Sequence, residues 1–374
     1  MSFTCFYPIA VFCSVVLFHL KAFHAGNEEI KYMNEKTINL AVTGLSKKVI
    51  NLEEDASVDT LYQYLSESGF PVHYARNIRT SVCFDNQCRL LDIKLFWNPT
   101  GRYLGFELPE GEYLSKHDHD PFTEEEYIRL NELLSDPDLP LGNFGYNEIM
   151  MASEVPKEEI DGISGATSKD LLEYVVEGAA YTTHKLYKII YGETRELIAD
   201  WTKSSSNEEF IGLIINSGNY RDKIWGLELV KGRLWMYPEI KRLIWELAGS
   251  DDYSLSEKAI NTLIPRDLED EMFQRELMAH FSKFDYGRRN WLIQLLKNTR
   301  TVFASTVRLL NGQLLDMEVP LVVEILEIYK KNGIRDEETL KAVTELSASE
   351  NKYLAAKAME YLNTYDGNPD LYIF

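Results

Sequence analysis

The sequence predicts an α+β domain over residues 26–200, built on an antiparallel meander with helices, followed by an all-α solenoid of helical hairpins over 207–374. Three observations predict this. Between Arg79 and Leu108, apolar and polar residues alternate with period two across short turn signals, as half-covered antiparallel strands do. Beyond Glu208 that alternation nearly vanishes, and helical patterns of roughly 10 to 15 residues follow one another with short breaks. The chain has 374 residues, of which 45% are hydrophobic and 26% charged, enough apolar material for more than one core.

The first 25 residues stand apart. Ile9 to Leu20 is a nearly unbroken apolar run, with Ala22 and Ala25 after it. This reads as a signal peptide, residues 1–25, with cleavage after Ala25 or Ala22. The run is short for a membrane span. No Lys or Arg precedes it, and cleavage after Ala25 places Phe23 at the −3 position, so a retained anchor is the alternative. Cleavage removes Cys5 and Cys13 and leaves Cys83 and Cys88 around Phe84-Asp85-Asn86-Gln87. Cysteines facing across a hairpin fall within disulfide reach, and export exposes them to oxidising conditions. A structural disulfide between Cys83 and Cys88 is expected, stabilising by about 2 kcal/mol.

Residues 26–55 are polar and without period. Residues 57–68 read as a short helix, with Ser57 as cap, Leu61 and Leu65 on one face, and Gly69 with Pro71 ending it. Strands follow at Arg79–Phe84, Arg89–Trp97 and Arg102–Leu108, with Asn98-Pro99-Thr100-Gly101 as a type I turn. Lys116-His117-Asp118-His119-Asp120 places two histidines two apart among acids, a weak metal pattern. The stronger reading makes it the approach loop to a helix capped by Thr123 and Glu126 and ending near Leu134. Residues 135–156 are rich in Pro and Gly. A second helix is expected from Lys169 to Tyr191, where Leu172, Val176, Ala179, Leu186 and Ile190 approach a 3.6 period.

Trp201 to Asn207, with Ser204-Ser205-Ser206, reads as a linker. Helix pairs then start near Glu208, Tyr237, Glu269, Thr299 and Arg335, a spacing that suits HEAT-like hairpins stacked as a solenoid. No strict sequence signature repeats. Trp225, Trp235, Trp245, Phe273, Phe281 and Trp291 fall at helical spacing and are expected in the core. The apolar tail Leu371-Tyr372-Ile373-Phe374 is expected to dock on the last helices.

The net charge is −20, from 39 Lys plus Arg and 59 Asp plus Glu. Such a surface repels phosphate backbones and anionic lipid, so nucleic acid is not an expected partner. No integral membrane span is expected in the mature chain. The sequence also lacks a nucleophile elbow, a zinc-type HExxH and a dinucleotide-binding glycine pattern. It gives no substrate-level catalytic set.

Between the two expected helices lies Asp161-Gly162-Ile163-Ser164-Gly165-Ala166-Thr167-Ser168. A small, polar loop entering a helix offers unpaired N–H groups and partial positive charge, which suits a phosphate. Gly162 and Gly165 let backbone approach a ligand closely, and Lys169 adds a counter-charge. The plain alternative is a capping loop with Thr167 or Ser168 as the cap.

At Ser164-Gly165-Ala166-Thr167 the chain resembles the FMN-binding domain family. That family includes the flavin-carrying subunits of the sodium-pumping NADH:quinone oxidoreductase and of the Rnf complex. Its mark is an acid, two spacers, then Ser/Thr-Gly-Ala-Thr and a nearby Ser or Thr, all present from Asp161 to Ser168. The resemblance covers residues 75–192 at most. It implies that a flavin transferase joins FMN to Thr167 through a phosphodiester, with Asp161, Ser164, Gly165, Ala166 and Ser168 around the attachment. It implies an extracytoplasmic electron-transfer protein (periplasmic, surface-held or secreted) whose redox partner is unspecified. Trp97, Tyr103, Tyr174 and Tyr181 are aromatic candidates for stacking the flavin ring. The competing function is a secreted interaction protein that uses the helical surface and carries no flavin.

Overall fold

The computed structural model describes residues 29–52, 58–80, 90–116, 119–145, 148, 173–234 and 237–364. Its first half is a six-stranded antiparallel sheet, ordered β1-β6-β5-β4-β3-β2. The strands are β1 Lys31–Met33, β2 Gly44–Asn51, β3 Val58–Leu65, β4 Pro71–Thr80, β5 Leu91–Trp97 and β6 Tyr103–Glu107. Alternation decides the two faces. Leu61, Tyr74, Ile78, Ile93, Leu95, Trp97 and Phe106 point to one side and form a core with helices α1 (Glu124–Ser135) and α2 (Ala180–Tyr191). Ala75, Phe96 and Leu104 cluster on the other side, with Tyr64 against them.

The helix-facing side also holds polar groups. Arg76 is 1% exposed, with Nε 2.5 Å from Asp59 Oδ2 and Nη1 donating to Thr194 Oγ1 at 2.9 Å. Tyr74 Oη accepts from Gln63 Nε2 at 2.7 Å and lies 2.9 Å from Thr202 Oγ1. Thr194 and Thr202 belong to α3 (Glu193–Ser205), so these bonds fasten α3 across β3 and β4. A buried arginine is tolerable where its donors are met in this way.

Ten helices complete the described chain: α4 Glu208–Ile215, α5 Tyr220–Val230, α6 Pro238–Ala248, α7 Tyr253–Ile260, α8 Glu271–Phe281, α9 Tyr286–Lys297, α10 Ala304–Asn311, α11 Val319–Lys331, α12 Glu337–Ser347 and α13 Lys352–Asn363. They share one continuous core, with α4 packed on α5, α6 on α7, α8 on α9 and α12 on α13. α6, α8, α10 and α12 begin 33 residues apart. The caps of the second helices, Asn219, Asp252, Asp285, Glu318 and Asn351, recur at the same interval. All but Glu318 accept backbone N–H bonds through the side chain; Glu318 precedes Val319-Pro320, where proline is pre-set for a first turn. The second helices α5, α7, α9, α11 and α13 pack in sequence, each on the next. Among the described residues no helix is long and apolar enough to cross a membrane.

The antiparallel meander and the helix starts near Glu208, Tyr237, Glu269 and Arg335 agree with expectation to within two residues, whereas α10 begins five residues after Thr299. Several expectations fail. Residues 57–68 form no helix; β3 occupies 58–65, because Leu61 and Leu65 also suit a strand whose alternate residues Thr60, Tyr62 and Tyr64 favour the extended state. The polar region 26–55 contains β1 and β2, both edge strands with largely exposed side chains and so little apolar period. β4 begins at Pro71, not Arg79. The linker is absent: α3 runs through Trp201 to Ser205, and Asn207 caps α4 by accepting from Phe210 N at 2.9 Å.

The helix expected from Lys169 is also shorter. Residues 173–178 are turns and bends, and α2 starts at Ala180. Gly178 has φ +74, and a Cβ there would lie 3.2 Å from the Lys116 side chain. A left-handed residue ends any helix arriving from upstream. Val175, Val176 and Ala179 are buried from these turns, so their apolar spacing is helical in appearance only.

Candidate functional site

Asp161, Ser164, Gly165, Ala166, Thr167 and Ser168 lie outside the described residues, as do Cys83, Cys88 and His117. The structure describes what holds the two ends of their segment. On the upstream side, α1 is fixed by a complete capping box: Thr123 Oγ1 accepts from Glu126 N at 3.3 Å, and Glu126 Oε2 accepts from Thr123 N at 2.8 Å. α1 packs on β6 and on α2. The chain beyond α1 is tied to α2 three times. Tyr187 Oη donates to Leu139 O at 3.1 Å, Lys188 Nζ to Gly142 O at 2.6 Å, and His184 Nε2 lies 2.9 Å from Phe144 O. Gly145 N then donates to Glu148 Oε2 at 2.7 Å. On the downstream side, Arg129 Nη2 donates to Glu173 O at 2.7 Å. Both ends of the segment therefore belong to the α1–α2 side of the sheet domain.

Burial pushes the His184 imidazole below its ordinary range, although the Phe144 carbonyl pulls the other way. Burial raises the Tyr187 hydroxyl to about 12, with Asp136 and Asp138 adding to the effect. His184 is thus neutral at pH 7, and Tyr187 keeps its proton to hold the 139 carbonyl.

The N-terminus of α2 is not the phosphate site that the sequence suggested. It begins twelve residues after Ser168. Ala179 and Ala180 are buried, and Thr183 Oγ1 accepts from Val176 N at 3.2 Å while donating to Ala179 O at 3.0 Å.

The aromatic candidates divide. Trp97 is fully buried and its Nε1 donates to Ile190 O at 3.1 Å. Tyr103 is 1% exposed, with Oη donating to Asn131 Oδ1 at 3.1 Å, and burial pushes its hydroxyl well above its ordinary value. Neither can stack a ligand ring. Tyr174 and Tyr181 are half-buried near the segment's downstream end. Tyr181 has Lys185 Nζ 5.9 Å from its ring centroid, and that lysine donates to Thr80 Oγ1 at 2.7 Å.

His119 sits at φ +69 in a tight turn, its N–H donating to Lys116 O at 3.0 Å. Ser115 bridges Pro121 across that turn. The described residues contain no metal-type cluster of three or more His, Cys, Asp or Glu.

One polar cluster escaped the sequence reading. Asp222 on α5 has no exposure, and its carboxylate accepts from Thr37 Oγ1 at 2.7 Å, Thr100 Oγ1 at 2.6 Å and Arg102 Nη2 at 2.7 Å. Beside it, Ile38 and Phe70 from the sheet domain pack on Phe210 and Ile214 of α4. The 33-residue register holds the missed signal. The positions equivalent to Asp222 hold Leu255, Arg288, Leu321 and Leu354, the three leucines buried, so a buried acid there marks a departure from the repeat.

Comparison of the chain with protein-family models, with curated proteins and with solved structures found no match.

Proposed function

We propose that this is an extracytoplasmic flavoprotein whose FMN is joined through a phosphodiester to Thr167, and that it acts in electron transfer. The octapeptide Asp161–Ser168 carries this reading, because it places the acid, the small residues and the acceptor hydroxyl in the order of the FMN-binding domain family. Two features support it. In sequence the octapeptide falls between residues 139–144, which are tied to α2, and Glu173, which is tied to Arg129 of α1. Tyr174 and Tyr181, later in the sequence, remain as half-buried aromatic side chains. Bound FMN supplies one- or two-electron transfer. The chain's part is to hold its phosphate with the 164–169 loop and to present the ring to a partner. A covalent link keeps a dilute cofactor in a compartment where dissociation would lose it.

In the same reading, residues 1–25 direct export, Cys83 and Cys88 form a disulfide, and α4 to α13 form an α-solenoid of HEAT-like hairpins that docks the redox partner. The constant 33-residue register and the sequential packing of the second helices support the solenoid. They equally favour a second reading, a secreted scaffold that binds through this helical surface without flavin.

Co-expression with a flavin transferase separates the two. The flavoprotein reading expects flavin fluorescence that stays with the denatured chain in a gel. A non-fluorescent band, with a known substrate of the transferase labelled in the same cells, would leave the scaffold.

A further inference from the structure

Alternation puts one set of strand residues on the side of the sheet away from α1 and α2, whose core is built from the other set. On this outer side, the cluster of Ala75, Phe96 and Leu104 with Tyr64 against it contains strand residues alone. The register maps what surrounds it. Leu45 opposes Tyr64, Lys47 opposes Tyr62 and Val49 opposes Thr60. Further across the sheet, Asn77 opposes Lys94. The His73 ring stacks on Tyr64 at 4.3 Å, and Lys94 Nζ donates to Tyr64 Oη at 3.2 Å.

This face combines exposed apolar side chains with cations that lack an acid. Leu45 is 58% exposed and Val49 69%. Among the described residues, the acids that share the face are taken: Glu107 holds Lys31 at 2.5 Å, and Asp92 lies 3.8 Å from Arg79. Lys36, Lys47 and Lys94 form no ion pair among the described residues. The charges of Lys36 and Lys94 both bear on His73, so they gather over one part of the face. A lysine on an edge strand, as Lys47 is, discourages pairing with another chain. That explanation fails for Lys94, because β5 lies inside the sheet between β4 and β6.

The charge of the whole chain narrows the occupant. It is −20, yet this face carries ammonium groups to spare. An ammonium without a partner favours a carboxylate, and exposed aliphatic groups beside it favour apolar side chains. An anionic membrane offers a similar chemistry, but its broad surface would also meet the acidic remainder of the protein, which repels it. A short segment meets the face alone. Lys47 and Lys94 lie three strands apart, about 14 Å across the sheet, a distance that about five extended residues span.

We infer that the outer face of the sheet docks a short acidic segment of a partner protein, with its carboxylates on Lys36, Lys47 and Lys94 and its aliphatic side chains against Leu45 and Val49. The inference does not depend on the flavin reading.

The test uses the full chain and a labelled, end-capped hexapeptide of Glu and Leu, followed by fluorescence anisotropy. The same peptide with Gln for Glu, and vesicles of phosphatidylglycerol, are the comparisons. The Glu peptide should bind saturably and more weakly as salt is added, and the Gln peptide should bind at least about tenfold more weakly. Lys36→Gln and Lys47→Gln, both exposed changes that leave the fold intact, should each weaken the Glu peptide about tenfold. Leu45→Ser with Val49→Ser should weaken it while leaving the salt dependence in place. Lys258→Gln, an exposed change on α7, should alter nothing. Equal binding of the two peptides, no saturation with the Glu peptide, or unchanged affinity in both lysine variants overturns the inference. Co-sedimentation with the vesicles without binding of the Glu peptide would also overturn it and assign the face to lipid.

Discussion

Arg102 grips Asp222 across the junction between sheet and helices, with Nε 3.1 Å from both carboxylate oxygens and Nη2 2.7 Å from Oδ2. The acid is fully buried, and the arginine side chain is 15% exposed. Thr37 and Thr100 occupy the remaining acceptor sites of the carboxylate, so it is fully bonded. Thr37 N in turn donates to Asn98 Oδ1 at 2.8 Å. The segment leading from β1 to β2, the β5–β6 turn and α5 are thus joined at one charged group.

Removing one partner of such a pair leaves the other buried and uncompensated, whereas replacing both by apolar groups can be neutral. Asp222→Ala is expected to lower stability by about 3–5 kcal/mol. The double change Asp222→Leu with Arg102→Met, which places there the leucine found in three of the four other repeats, is expected to recover most of that loss. Urea denaturation checks both; a loss below about 1 kcal/mol in Asp222→Ala would show that the junction is held by the apolar contacts alone.

His73 gives the sheet a pH dependence of definite sign. Its ring stacks on Tyr64 at 4.3 Å, and Nδ1 is buried without a partner. Burial, with help from Lys36, Lys94 and Lys31, lowers its pKa from 6.5 to about 4. The unfolded chain therefore takes up a proton between these values that the folded chain refuses. The stabilisation is complete above about pH 6.5 and is lost as pH falls toward 4, by up to about 2–3 kcal/mol. His73→Phe, which keeps the ring stack, should flatten this part of the stability profile measured by thermal unfolding. An unchanged slope would assign the acid sensitivity to other groups.

Gly105 is needed where β1 meets β6. Its φ is +154, and a Cβ would lie 2.0 Å from Tyr32 O. β1 is three residues long and cannot absorb the clash elsewhere. Gly105→Ala is expected to cost about 2–4 kcal/mol and to release β1. The amides of Asn34 and Leu108, which donate to Leu104 O and Ile30 O, should lose hydrogen-exchange protection. Retained protection at both would mean that the strand tolerates the side chain.

The sequence made visible those elements whose side chains obey one strong rule. β5 alternates from Leu91 to Leu95, and Thr123 with Glu126 fits the capping box that the structure contains. The helix pairs could be counted, but their 33-residue register could not, because it resides in cap positions occupied by Asn, Asp or Glu and not in one repeated residue. β1 and β2 were hidden because edge strands expose both sides. β3 was misread because Leu61 and Leu65 satisfy helix and strand periods alike. The Arg102–Asp222 pair joins residues 120 apart, and no local pattern encodes such a separation. For the octapeptide, composition and order were legible, while the upstream helix boundary was not: Gly178 overrides an apolar spacing that continues through it.

Intact-mass spectrometry of the protein co-expressed with a flavin transferase decides whether Thr167 carries flavin. A gain equal to one FMN less one water is expected, absent in Thr167→Ala and retained when Ser164 or Ser168 is changed to Ala. An unmodified mass in the native chain, with the transferase active on a known substrate in the same cells, would contradict it.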